Sequence, residues 1–255
     1  MKLAIAAGHS AVSPGAVRDE YREHDLCEDI RRELSGMLGQ RGYDVIDPAV
    51  HTAEMRSPEY LDERIAVINQ GDVDAALEIH LNASADPSVN YVLCLHAPGS
   101  LHGRELANAI TDLLSDEIGE TLGPKSARAR PDTWTGRGGL RFLRGTRPPA
   151  VIVEPCFLSS ERVRRMLDRE RGAFALSGES AVAGGDGSRI DGFRGKSPER
   201  GAFALSGESA VAGGDGSRID DFRGKSPAWT RMLARGICAG IEAYSDFQKK
   251  SLGVT

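Results

Sequence analysis

Long apolar runs are missing from this 255-residue chain, and so is any strong excess of charge. No stretch of about 18 consecutive apolar residues occurs, which excludes an ordinary membrane-spanning helix. Lys and Arg number 32 against 37 Asp and Glu, a formal net charge of -5. Without a basic excess to neutralise phosphates, nucleic acid is not expected as the main partner. There is no CxxC pair; the four cysteines, Cys27, Cys94, Cys156 and Cys238, are scattered. That excludes a zinc knuckle and a disulfide framework, and they read as free, mostly buried thiols. Cys156 would share a strand face with Glu154, and we read it as a small packing residue rather than a metal ligand. The apolar stretch after Lys2 is too short for a secretory signal, so synthesis in the cytoplasm without a signal peptide is expected.

What the chain does contain is an alternation of short apolar runs and helical periodicity. Lys2–Ala6 reads as a strand ending at Gly8-His9. Leu26, Ile30, Leu34 and Leu38 recur every four residues, which predicts an amphipathic helix from about Glu23 to Gln40. Tyr43–Ile46 is a second strand, Leu61, Ile65 and Ile68 mark a second helix, and Ala75–His80 is a third strand. Val89–Leu95 is a fourth strand, and Leu106, Ile110, Leu113 and Ile118 mark a long helix. A Gly/Arg/Pro-rich loop follows, then Leu140–Leu143 and the wholly apolar Ala150–Val153, a central strand covered on both sides. Met232, Leu233, Ile237 and Ile241 close the pattern with a last helix. Strands alternating with helices predict an α/β fold with helices on both faces of the sheet.

One segment stands apart. Glu170–Pro198 is repeated as Glu199–Pro227 with a single change, Gly192 to Asp221. Two near-identical copies, rich in Gly, Ser and charge, carry too few large apolar residues to offset their chain entropy. The expected division is therefore a catalytic domain of residues 1–169 plus 228–248, a flexible duplicated insertion at 170–227, and a tail at 249–255.

Four polar residues carry the chemistry. His9, His80 and Glu154 fall at predicted strand ends, where open α/β sheets place their sites. Glu154 ends the run Ala150-Val151-Ile152-Val153, a costly place for a carboxylate that is not paired, next to a metal or catalytic. Glu23 opens a helix, where acidic residues are favoured anyway, and Glu20, His24, Asp25 and Glu28 compete for its role. Two imidazoles and a carboxylate can hold a zinc ion with a position left open for water. A second carboxylate can then act as general base. His51, His96 and His102 lie in polar or loop contexts and read as ordinary surface residues.

The order and context of these residues resemble the zinc-dependent N-acetylmuramoyl-L-alanine amidases of the amidase-3 type. The resemblance rests on Ala7-Gly8-His9 with Pro14-Gly15-Ala16, Glu23-His24-Asp25-Leu26, and Arg64 to Asn69. It continues with Ile79-His80-Leu81-Asn82-Ala83 and Pro149 to Glu154, followed by Phe157-Leu158-Ser159. It runs from Lys2 to about Leu167 and resumes around Trp229–Tyr244. The family usually has Asp where this chain has Ala6, Gly at Ser10, and commonly Gly after the catalytic Glu, where Pro155-Cys156 stand here. Loss of that Asp removes a carboxylate that can orient a ligating histidine.

The resemblance implies a single domain with a mixed, mainly parallel sheet. It selects Glu23 over its neighbours and implies Zn2+ held by His9, Glu23 and His80, with Glu154 as the catalytic base. The implied reaction is hydrolysis of the amide between N-acetylmuramic acid and L-alanine in peptidoglycan, with Asn82 as a substrate contact. Peptidoglycan is then the partner, and action on the cell wall after a membrane breach, as in a phage-type endolysin, is the expected setting. Two rival readings are a catalytically impaired peptidoglycan-binding relative and a zinc amidohydrolase or carboxypeptidase acting on a small acyl-amino acid or peptide. The latter sites usually bring their Glu close after the first His, as His-x-x-Glu; here position 12 is Val. No oligomeric state follows from the sequence.

Overall fold

The structure, a computed structural model, describes residues 1–49, 52, 54–122, 127–136, 139–176, 226–251 and 253. A six-stranded sheet runs through it. In chain order its strands are β1 (Lys2–Ala7), β4 (Asp44–Ile46), β5 (Ala75–Ile79), β6 (Val92–His96), β7 (Ala127–Pro131) and β8 (Ala150–Glu154). A two-stranded ribbon, β2 (Val17–Arg18) with β3 (Tyr21–Arg22), precedes the first helix. The spatial order is β4-β1-β5-β8-β6-β7. Every pairing is parallel except β6 with β8. The sheet is thus mixed and mainly parallel, as expected.

Alternation along the central strands sends side chains to two separate cores. Leu3, Ile5, Leu77, Ile79, Val151 and Val153 pack on one face. They meet the helices α1 (Glu23–Gln40), α3 (Leu101–Leu122) and α6 (Ala228–Ser251). Ala4, Ala76, Leu93, Leu95 and Ile152 point to the other face, against α2 (Glu59–Gln70) and α4 (Arg141–Gly145). Helix α1 turns Leu26, Ile30, Leu34 and Leu38 inward, the four-residue spacing read from the sequence. Helices α3 and α6 cross closely because α6 has no side chain at Gly240. A Cβ there would lie 2.4 Å from the Ile110 Cα.

The structure departs from the sequence reading at several points. Strand β7 forms inside the Gly/Arg/Pro-rich loop. It lies at the sheet edge with Arg128 and Arg130 exposed, so no apolar run announces it. The short Leu140–Leu143 run belongs mostly to helix α4. His96, expected on the surface, is 7% exposed at the end of β6. His102 is exposed as expected, and His51 lies outside the described residues. Helix α5 (Glu161–Leu176) runs seven residues into the first repeat copy, and α6 continues to Ser251, into the expected tail. Residues 177–225, the duplicated segment apart from its first seven and last two residues, lie outside the described residues.

Candidate active site

Three segments meet at the carboxyl end of the sheet. His9 follows β1 by two residues, His80 follows β5 directly, and Glu154 is the last residue of β8. Glu23 opens α1 and swings over the same mouth. Its Oε1 lies 3.1 Å from His9 Nε2 and 3.1 Å from His80 Nδ1. The Leu81 backbone N–H donates to the same oxygen at 3.2 Å, and Ala16 N–H donates to Oε2 at 2.8 Å. The two imidazoles stand edge to face with centroids 4.8 Å apart. One ligand atom each from His9, Glu23 and His80 falls within 4.8 Å of the others, a group able to hold a metal ion.

The backbone around these residues is shaped for close approach. Gly8 lies so near His80 that a Cβ would sit 2.3 Å from its Cε1. Gly15 adopts φ +78, and a Cβ there would come within 2.5 Å of both Glu23 Oε2 and His9 Cδ2. His9 itself has φ 63, the left-handed region that a non-glycine residue enters only at a cost. Arg64 holds it there. This fully buried guanidinium donates to the His9 carbonyl at 2.6 Å, to the Ala7 carbonyl at 2.8 Å and to Thr52 Oγ1 at 3.0 Å. It also donates to Glu78 Oε1 at 3.0 Å, and Glu78 Oε2 accepts from His80 Nε2 at 3.2 Å.

Electrostatics sets Glu23 and Glu154 apart. Burial alone would push the Glu23 carboxyl up, but the charge of His9 together with the hydrogen bond and charge of His80 outweighs it and holds Glu23 well below the usual carboxylate range. Burial would depress His80, and hydrogen bonds from its ring to Glu23 and Glu78 reverse that, raising its pKa well above normal. Glu154 is different. It is 0% exposed, neither carboxylate oxygen has a hydrogen-bond partner among the described residues, and burial pushes its pKa up to about 8. His80's charge pulls it down and those of Glu23 and Glu78 push it up further. A carboxyl kept near neutral pH in a buried site is suited to taking and returning protons.

All four residues singled out from the sequence are therefore brought together. Asn82 follows His80 by two residues, 1% exposed, with its Nδ2 buried and without a hydrogen-bond partner among the described residues. His24, a competitor for the ligand role, instead turns its Nδ1 to the Gly8 carbonyl at 2.8 Å. Cys156 packs in the apolar core and burial pushes its thiol up to about 12. Asn69, matched in the resemblance, clamps the end of α2 to the loop after α4 through Gly145 O and Arg147 N. The sequence reading missed Glu78. A lone acid in the otherwise apolar strand Ala75-Ala76-Leu77-Glu78-Ile79 is the same signal that singled out Glu154.

A mainly parallel α/β sheet with a His-Glu-His group able to hold a metal ion, and beside it a buried carboxylate with no partner among the described residues, is the layout of a hydrolase. The chain belongs to the N-acetylmuramoyl-L-alanine amidase family Amidase_3, whose profile matches residues 3–181. It is an enzyme of that class, and the match extends past Leu167 into the first repeat copy. A comparison with curated protein sequences finds no significant match. Among solved structures, it is similar to the CwlD amidase from Clostridioides difficile in complex with the GerS lipoprotein, at 17% identity and TM-score 0.63, over 96% of this chain and 98% of that one. AmiC2 of Nostoc punctiforme, an N-acetylmuramoyl-L-alanine amidase, aligns at 16% identity and TM-score 0.62, over 96% and 97%. The catalytic domain of an endolysin targeting Clostridia Difficile aligns at 24% identity and TM-score 0.51, over 65% and 86%.

Proposed function

We propose that this enzyme hydrolyses the amide joining N-acetylmuramic acid to the L-alanine of the peptidoglycan stem peptide, with zinc bound by His9, Glu23 and His80. The residues present fit the ion. Zinc with ligands at about 2.0–2.2 Å sets tetrahedral donor atoms about 3.4 Å apart, and the Glu23 oxygen stands 3.1 Å from a nitrogen of each histidine. His9 Nε2 is buried and, despite that approach, makes no well-aligned hydrogen bond, so its lone pair is left to serve a ligand. When bound, zinc supplies a Lewis acid for the scissile carbonyl and lowers the pKa of water. Glu154 accepts the proton of the attacking water and returns one to the departing amine. The unpartnered Nδ2 of Asn82 donates to a substrate carbonyl or hydroxyl.

The observation that carries this reading is the pairing of a group of three able to hold a metal with Glu154, a buried carboxylate left without a hydrogen-bond partner among the described residues. Residues 1–169 with 228–248 form the proposed catalytic domain. The proposed setting is cell-wall lysis of the endolysin kind, a reading supported by the shared fold with an endolysin catalytic domain. Muropeptides digested with the enzyme and analysed by mass spectrometry should show N-acetylmuramic acid with a free lactyl carboxylate and stem peptides with a free L-alanine amino terminus. A chelator should abolish that cleavage and zinc restore it. His80→Ala should lose both the metal and the activity. Full cleavage by metal-free protein would refute the mechanism.

A further inference from the structure

Glu78 stands two residues before His80 on β5, and its register partner on β1 is Ala6. Both side chains point to the same face of the sheet, so a carboxylate reaches this spot from β5 although β1 offers none. That carboxylate is fully used. Oε1 accepts from Arg64 at 3.0 Å and Oε2 accepts from His80 Nε2 at 3.2 Å. Glu78 is 2% exposed and Arg64 0% exposed, so no water competes for either bond.

The two nitrogens of His80 consequently face different chemistry. Nδ1 is turned to Glu23 and His9, while Nε2 is turned to Glu78. Both nitrogens thus face a carboxylate oxygen, but only Nδ1 lies on the side of the group of three; with an ion held there Nδ1 would give it its lone pair, and Nε2 would keep the ring proton and donate it to Glu78. Arg64 leaves Glu78 no rotational choice, because it ties the other oxygen to the His9 carbonyl and the Ala7 carbonyl at once. One buried pair thereby sets the tautomer of His80 and the backbone of His9.

We propose that Glu78 is a positioning residue of the metal centre: it fixes His80 as the Nε2-protonated tautomer, and with Arg64 it supplies from β5 the carboxylate that β1 lacks at Ala6. This rests on the zinc reading above. Glu78→Gln provides a sharp test. Arg64 only donates, so the amide oxygen must face it, and the amide NH2 must then face His80 Nε2. The ring proton is driven to Nδ1, and the lone pair aimed at the metal is lost.

Zinc affinity, measured by competition with a chromophoric chelator, should fall about 10- to 100-fold in E78Q. Its circular dichroism should remain that of the parent. Glu78→Asp, which keeps the acceptor, should fall less. Wild-type protein supplies an arm that needs no variant. In the zinc-loaded enzyme, long-range 1H–15N correlations should show His80 protonated at Nε2 and metal-bound at Nδ1. A His80 bound through Nε2, or an E78Q variant binding zinc as tightly as wild type, overturns the inference while leaving zinc catalysis standing. Wild-type protein that binds no zinc overturns both.

Discussion

The backbone N–H of His80 donates to the Val153 carbonyl at 2.9 Å, so His80 and Glu154 emerge side by side from adjacent parallel strands. That neighbourhood divides their labour. His80 is turned to Glu23 and Glu78, whereas Glu154 makes no hydrogen bond among the described residues and lies outside the group of three. Glu154→Gln should therefore retain the fold and full zinc stoichiometry while lowering turnover by about 100-fold or more, the scale for removing a general base. Metal content and kcat measured on the same preparation decide it. Zinc lost in proportion to activity would make Glu154 a ligand instead.

The same carboxyl makes stability depend on pH. Its pKa is pushed up from 4.5 to about 8 in the folded protein. Between those values the folded chain keeps a proton that the unfolded chain has released, so stability falls as pH rises across that window. In metal-free protein, Glu154→Gln removes this ionisation. Its melting temperature should match wild type near pH 4.5 and exceed it increasingly up to pH 8. A difference that does not vary with pH would show that Glu154 ionises normally.

Gly15 should tolerate no side chain. Alanine at its φ of +78 costs about 1–2 kcal/mol. That corresponds to a loss of roughly 2–8 °C in Tm for a domain this size. The added Cβ would also push on Glu23 and His9. Gly15→Ala is thus expected to weaken zinc binding on the order of tenfold or more, in the range seen when ligand orientation is disturbed. Titration of zinc into the refolded variant would expose an unchanged affinity if the loop can give way.

Removal of one repeat copy should be nearly silent, for a reason visible in α5. Glu170 Oε1 accepts the Trp229 backbone N–H at 2.9 Å, tying the start of the repeat to the start of α6. Deleting Glu170–Pro198 brings Glu199-Arg200-Gly201-Ala202-Phe203-Ala204-Leu205 into the same place, residue for residue. The end of α5 and its tie are rebuilt by the second copy. Shortening the connection changes closure entropy by only about 0.6 kcal/mol per halving. Zinc binding and amidase rate should stay within a few-fold; a large loss in either would give the duplicated segment a role of its own. Replacing Glu170–Pro227 with a short linker should do worse, because the last turns of α5 go with it.

The central architecture was legible because strong periodic signals built it. The spacing of Leu26, Ile30, Leu34 and Leu38 marked α1 to the residue, and the apolar run ending at Glu154 marked β8. Both follow from burial, which writes itself into the residue pattern. Edge strand β7 did not, since a strand with one open side needs few apolar residues. His96 was misplaced because its burial comes from packing around the end of β6, not from its neighbours in sequence. Likewise Arg64 was noticed only as part of a spacing. Its bonds reach 55 and 57 residues back along the chain, to His9 and Ala7, and no local window contains such a contact.

Helix α6 comes last in the chain yet forms an inner wall: Leu233, Ala234 and Ile237 are wholly buried against α1 and α3. During synthesis that wall is the last part of the described core to be made. The 58 residues of the two copies, 170–227, are made first. At about 5–20 residues per second they add roughly 3–12 s before the core can close. In a chain with one copy that added interval would be about half as long. Ribosome-bound chains arrested before residue 228 should remain protease-sensitive, and resistance at that length would show that the domain closes without its last helix.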